Sequence, residues 1–73
     1  MVYPIRIKDA KDAAKISEVS AAADLDVTVS YGTVIIDPRS ILGLLALVGK
    51  TVLLVAPDHS SPYEFRQLIN KIV

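Results

Sequence analysis

The residues able to do chemistry are few and scattered. The only histidine, His59, stands in a Pro57-Asp58-His59-Ser60 turn with Asp58 beside it. A lone loop histidine reads as a solvent-exposed residue. Gly49-Lys50-Thr51 has the ending of a phosphate-binding loop, but that motif needs a glycine where Leu44 stands and a helix afterwards. A strand-like run follows instead. The carboxylates, from Asp9 to Glu64, show no spacing that brings metal ligands together. With no cysteine in the chain, disulfides, thiolate chemistry and cysteine-based zinc sites are excluded. The expectation is a domain without a catalytic centre, metal or cofactor, which acts by being bound by other proteins.

The elements that would carry these residues can be read from periodicity. Val2 to Ile7 alternates, with Tyr3, Ile5 and Ile7 on one side, as a half-buried strand does. Pro4 cannot donate to a central ladder and places this strand at a sheet edge. Asp9, with Asp12 three residues on, opens a helix over about 10–23, whose inner face holds Ala13, Ile16, Val19, Ser20 and Ala23. Asp26 to Tyr31 and Thr33 to Ile36 form a hairpin about Gly32. Asp37-Pro38 predicts a helix start, with the carboxylate as cap and proline at the first helical position, for a helix over 38–48 that Gly49 ends. Thr51 to Ala56 is a short buried strand. Ser61-Pro62-Tyr63-Glu64 fits a capping box, followed by Phe65, Leu68, Ile69 and Ile72 on one helical face. The order is βαββαβα in a single domain, residues 1–73, with no linker or internal repeat. An antiparallel sheet with its helices on one face is the economical architecture for that order.

Composition narrows the function classes. The chain is 52% hydrophobic and 22% charged, with eight basic residues against eight acidic ones, scattered along its length. There is no cationic stripe for nucleic acid or an anionic membrane. The N-terminal stretch, with Pro4, Arg6 and Lys8, lacks the apolar run of an export signal. Ile41 to Pro57, broken by Gly49, Lys50 and Thr51, falls short of the ~18 to 20 apolar residues that span a bilayer. The expectation is a cytoplasmic protein.

The expected second helix carries an anomaly. Ile41, Leu42, Leu44, Leu45, Leu47 and Val48 put apolar side chains on more than one face. If Leu44, Leu47 and Val48 face the sheet, Ile41, Leu42 and Leu45 form a patch that meets water unless a partner covers it. A helix buried more deeply than average is the other reading.

The element order, with Arg39-Ser40-Ile41-Leu42-Gly43 at the start of the second helix, resembles the histidine-containing phosphocarrier protein HPr of the bacterial sugar phosphotransferase system. The likeness covers nearly the whole chain. It implies an α+β open-faced sandwich, a four-stranded antiparallel sheet with three helices on one face. It also implies that Ser40 stands at the serine phosphorylated by the family's ATP-dependent kinase, with Arg39, Ile41, Leu42 and Leu45 at its docking surface. The sequence departs from the pattern at the carrier site. An ungapped count back from Ser40 places Asp9 at the family's phosphorylated histidine, Lys11 at the arginine that contacts partners and Asp12 at a proline. The connection from the second helix to the fourth strand is about three residues shorter than the family's usual one.

The resemblance therefore implies a regulatory or adaptor domain without histidine phosphocarrier activity. Its expected partners are proteins: HPr kinase, a catabolite-control transcription factor, or enzyme I. A phosphate on Ser40, expected in the first turn of the second helix, would lie by free N–H groups and beside Arg39, with Asp37 as an opposing charge. Without the resemblance Ser40 reads as an ordinary helix serine. Two alternatives stay open. One is a phosphocarrier with Asp9 as acceptor, although a helix cap is the simpler role for that residue. The other is a homodimer through Ile41, Leu42 and Leu45.

Overall fold

A computed structural model describes all residues, Met1–Val73. The elements follow in the order β1 (Val2–Arg6), α1 (Ala10–Ala22), β2 (Thr28–Tyr31), β3 (Val34–Ile36), α2 (Ile41–Leu45), β4 (Thr51–Val55) and α3 (Pro62–Ile72). The strands form one antiparallel sheet in the order β1-β4-β2-β3. Three helices cover one of its faces. β1 is an edge strand, as Pro4 requires.

Register explains which residues reach the core. Ile5 lies opposite Val52, Tyr3 opposite Leu54, and Leu54 opposite Val29. Directly opposed residues of an antiparallel pair share a face, so Ile5, Val52, Leu54 and Val29 meet the buried side chains of the helices. Ile7, Ile16, Leu44 and Leu54 are fully buried there, with Phe65, Leu68, Ile69 and Ile72 of α3 closing the layer. Tyr3 and Tyr31 share this face but remain partly exposed at its margins. Tyr31 ends β2 at the hairpin, where Gly32 has φ +60, the position at which a type II′ turn favours glycine.

Helix caps follow the sequence at α1 and α3. Asp9 accepts the Asp12 N–H at 2.9 Å, and Asp12 in turn accepts the Lys8 N–H at 2.9 Å. Ser61 accepts the Glu64 N–H at 3.3 Å, with Pro62 opening α3. Ala13, Ile16 and Ser20 are buried along α1; the Ser20 hydroxyl has no hydrogen-bond partner.

The second helix differs from its expected span of 38–48. Asp37-Pro38-Arg39 is a turn, Ser40 is the N-cap, and regular helix runs only from Ile41 to Leu45. Two local facts account for this. Asp37 directs its carboxylate to the N–H of Arg39, two residues on, as an aspartate does when it makes its own turn. Pro38 is buried in the fold instead of standing at a helix's first position. After Leu45 the chain continues in tighter turns, in which Leu47 N–H bonds Leu44 O at 2.9 Å and Lys50 N–H bonds Leu47 O at 3.0 Å. Val48, expected to face the sheet, is as exposed as Ile41, because this tightening rotates it away from the line of Leu44 and Leu47.

Candidate functional site

The segment 37–48 is where polar chemistry and exposed apolar surface meet. Asp37 and Arg39 form a two-pronged ion pair. Arg39 Nε donates to Asp37 Oδ1 at 3.0 Å and Nη2 to Oδ2 at 2.9 Å, while the backbone N–H of Arg39 adds a bond of 3.0 Å to Oδ1. These hydrogen bonds from Arg39 hold the Asp37 carboxyl below the usual carboxylate range, and the same pairing raises the Arg39 guanidinium. Asp37, expected as a charge opposing a phosphate on Ser40, is paired with Arg39 and is not a free charge. The two partners neutralise each other next to Ser40.

A lowered carboxylate contributes stability that is present above its unfolded pKa and lost as pH falls through its folded pKa. Both groups are well exposed, so the expected readout is local. A carboxyl-carbon NMR titration should place the Asp37 midpoint below the ordinary carboxylate range, and Arg39→Ala should return it to that range. An Asp37 midpoint in the ordinary range in the unsubstituted protein would mean that the pair is not held in solution.

Ser40 is exposed at the N-cap of α2, and its hydroxyl makes no capping bond. Sequence placed it at the third helical position; it stands just outside the helix instead, because the turn at Asp37-Pro38 delays the start. Immediately after it, Leu42 is 78% exposed, and Ile41, Leu45 and Val48 are each 38% exposed. Leu44 and Leu47, between them in sequence, are buried. The structure thus brings Arg39, Ser40, Ile41, Leu42 and Leu45 onto one short stretch of surface, with Val48 continuing its apolar part.

Two further residues fix this stretch in place. The Ser17 hydroxyl on α1 donates to Arg39 O at 3.0 Å and ties the turn to the neighbouring helix. Gly43 allows α2 to lie close to β3, since a Cβ at that position would stand 2.6 Å from Ile36 Cγ2. Neither role was read from sequence. The Asp-Pro dipeptide, a turn initiator as much as a helix opener, was the available signal for the Asp37 turn; nothing local announces the Ser17 contact.

Asp9 and Lys11 lie elsewhere, at the start of α1. Both are exposed, and no hydrogen bond or ion pair joins either to residues 37–45. One Asp9 oxygen is engaged in capping α1. An open groove of about 410 Å³ lies nearby between β1, α1 and the end of α3; Arg6, Lys8 and Asp12 line it, and Asp9 does not. Asp9→Ala should lower stability by about 1 kcal/mol through loss of the cap, and Asp9→Asn by less, because an amide oxygen still caps. Chemical denaturation of the three proteins checks this. Equal stability of Asp9→Ala and the unsubstituted chain would mean that the cap is idle.

His59 is exposed, and no three histidine or carboxylate side chains converge as metal ligands would. No helix is long and apolar enough to cross a membrane.

No family model and no curated protein sequence matches the chain. Among solved structures, the crystal structure of HPr-C-His from Thermoanaerobacter tengcongensis is similar to it. The TM-score is 0.72 at 21% identity, over 99% of this chain and 90% of that one. The chain has an HPr-like fold: four antiparallel strands in one sheet and three helices.

Proposed function

We propose that this chain is a regulatory or adaptor domain of the bacterial phosphotransferase and catabolite-control type, bound by other proteins through the start of α2. The observation that carries the reading is an exposed, uncapped Ser40 hydroxyl directly ahead of the exposed side chains of Ile41, Leu42 and Leu45, within an HPr-like fold. Apolar side chains on this scale at a helix start are consistent with a protein partner that desolvates them. By the resemblance Asp9, a helix cap in the structure, falls at the family's carrier-histidine position, and the role we propose is therefore to receive a signal and not to relay phosphate from histidine.

Phosphorylation at Ser40 is the proposed switch. The Ser40 oxygen would attack the γ-phosphorus of ATP and lose its proton, with ADP as the leaving group. The new dianion would sit next to Arg39 and compete with Asp37 for the guanidinium, while adding charge beside Ile41 and Leu42. That changes which partner can cover the patch. HPr kinase is the proposed modifying enzyme, and a catabolite-control transcription factor the proposed reader.

The test is intact-mass and site-mapping mass spectrometry after incubation with a bacterial HPr kinase and ATP, with Ser40→Ala alongside. The expected result is one added phosphate that maps to Ser40 and is absent from the variant. No modification would remove the switch from this reading and leave constitutive binding. A parallel incubation with enzyme I and phosphoenolpyruvate addresses the alternative of Asp9 as acceptor: label that survives Asp9→Asn would exclude that residue.

A further inference from the structure

On the face of the sheet turned away from the helices, five of the nine strand residues (Val2, Pro4, Ile35, Leu53 and Val55) are apolar, beside Thr28, Ser30, Thr51 and Arg6, where an open antiparallel sheet is ordinarily polar. Leu53 projects from it between buried Val52 and Leu54, and Pro4 lies opposite Leu53 on β1. On the other side Leu53 faces Ser30, which faces Ile35 of β3. A second row pairs Val2 with Val55. Ile35 is 71% exposed and Leu53 42%. Of the strand residues on this face only Arg6 is charged, at the end of β1, although the chain has eight basic and eight acidic residues. No helix covers it.

We infer that this face packs against the same face of a second copy, as two sheets stacked into an eight-stranded sandwich about a two-fold axis. The argument for a second copy rests on charge and area. The chain has a formal net charge of +0, so two copies meet without net repulsion. Stacked about a two-fold axis near Leu53, the apolar rows cover each other and Arg6 stays at the rim in contact with water. A partner with a charged surface would instead bury charges that this face cannot pair.

The molecule measures 29 × 24 × 17 Å along its principal axes. With the sheet and helix layers stacked along the shortest of these, the face covers on the order of 500 Å² per copy, or about 1,000 Å² in total, the lower bound of a specific interface. Antiparallel sheets stack at about 10 Å with their strands within about 30° of alignment, a geometry open to a flat face with short side chains such as Ser30 and Thr28. The α2 surface lies on the other side of the sheet and remains free in such a dimer. This inference is therefore independent of the proposed switch.

Sedimentation velocity of the full chain between about 10 μM and about 1 mM tests it, with Leu53→Lys, Ile35→Lys and Leu42→Lys compared at the same concentrations. The expected result is a concentration-dependent shift toward twice the monomer mass in the unsubstituted protein and in Leu42→Lys. Leu53→Lys and Ile35→Lys should each weaken association at least about tenfold. Ile35 lies on an edge strand and is largely exposed, so Ile35→Lys tests the face even if Leu53→Lys disturbs the fold. A monomer at the highest concentration would hand the face to a different protein and overturn the inference. So would a dimer that persists in Ile35→Lys or dissociates in Leu42→Lys.

Discussion

Leu44→Ala is expected to lower the unfolding free energy by about 2 to 5 kcal/mol, the range for deleting a fully buried leucine side chain. Leu44 has no exposed surface and is the one buried residue of α2. Removing it leaves a cavity under a helix of only five residues, which has few other contacts with which to close the gap. Stability scales at ~0.05 to 0.15 kcal/mol per residue, so a chain of this length has about 4 to 11 kcal/mol in all. The substitution therefore removes a large share of it. Loss of the anchor also frees Ile41, Leu42 and Leu45 from their common orientation. Urea unfolding followed by circular dichroism measures the effect. A loss below about 1 kcal/mol would mean that α2 is not held on the sheet through Leu44.

Gly43→Ala should also destabilise, against the trend of helix propensity. Alanine is favoured over glycine within a helix by about 1 kcal/mol. Here the added Cβ would meet Ile36 Cγ2 at 2.6 Å. That methyl group sits on the branched carbon of a residue paired with Val29 in the sheet, and a β-branched side chain has little freedom at χ1. Either α2 lifts from β3 or the sheet edge shifts, and overpacking of this kind costs about 1 to 3 kcal/mol. The net expectation is a loss of up to about 2 kcal/mol. A double-mutant cycle with Ile36→Ala separates the contributions, since removing Cγ2 should cost less in the Gly43→Ala background than alone. A stabilised Gly43→Ala would show that α2 moves away from β3 without penalty.

Much of the fold was legible because its signals are local. Alternation in β1 and β2, Pro4 at an edge, the Asp9 and Ser61 caps and the helical spacing of Phe65, Leu68, Ile69 and Ile72 each appear in the structure as read. The limits of α2 were not legible, because Asp37-Pro38 fits both a helix start and a turn. The outcome depends on Pro38 becoming buried and on the Arg39 side chain reaching back to Asp37. Periodicity also cannot distinguish a long helix from one turn and a half followed by tighter turns, which is why Val48 was placed on the wrong side. The excess of apolar residues after Ser40 left an exposed patch and a deeply buried helix both open, and the structure exposes Ile41, Leu42 and Leu45. The neutralised charge of Arg39 and the Ser17 tie are tertiary and side-chain facts with no periodic trace. The open face was hidden for a similar reason: the continuous β-branched and leucine-rich run Thr51 to Ala56 does not tell its two faces apart, whereas only Val52, Leu54 and Ala56 face the core.

The most direct test of the central claim, that partners dock at the start of α2, is an amide NMR titration of the isotope-labelled chain with a bacterial HPr kinase, run beside Leu42→Asp. Leu42 is largely exposed, so this substitution leaves the core intact and places an unpaired carboxylate in the proposed contact. The account predicts shifts or line broadening concentrated on Arg39 to Leu45 and the adjoining surface of α1 around Ser17, weakened at least about tenfold in the variant. Perturbations centred on Leu53 and Ile35, equal binding by Leu42→Asp, or no response at any amide would contradict it.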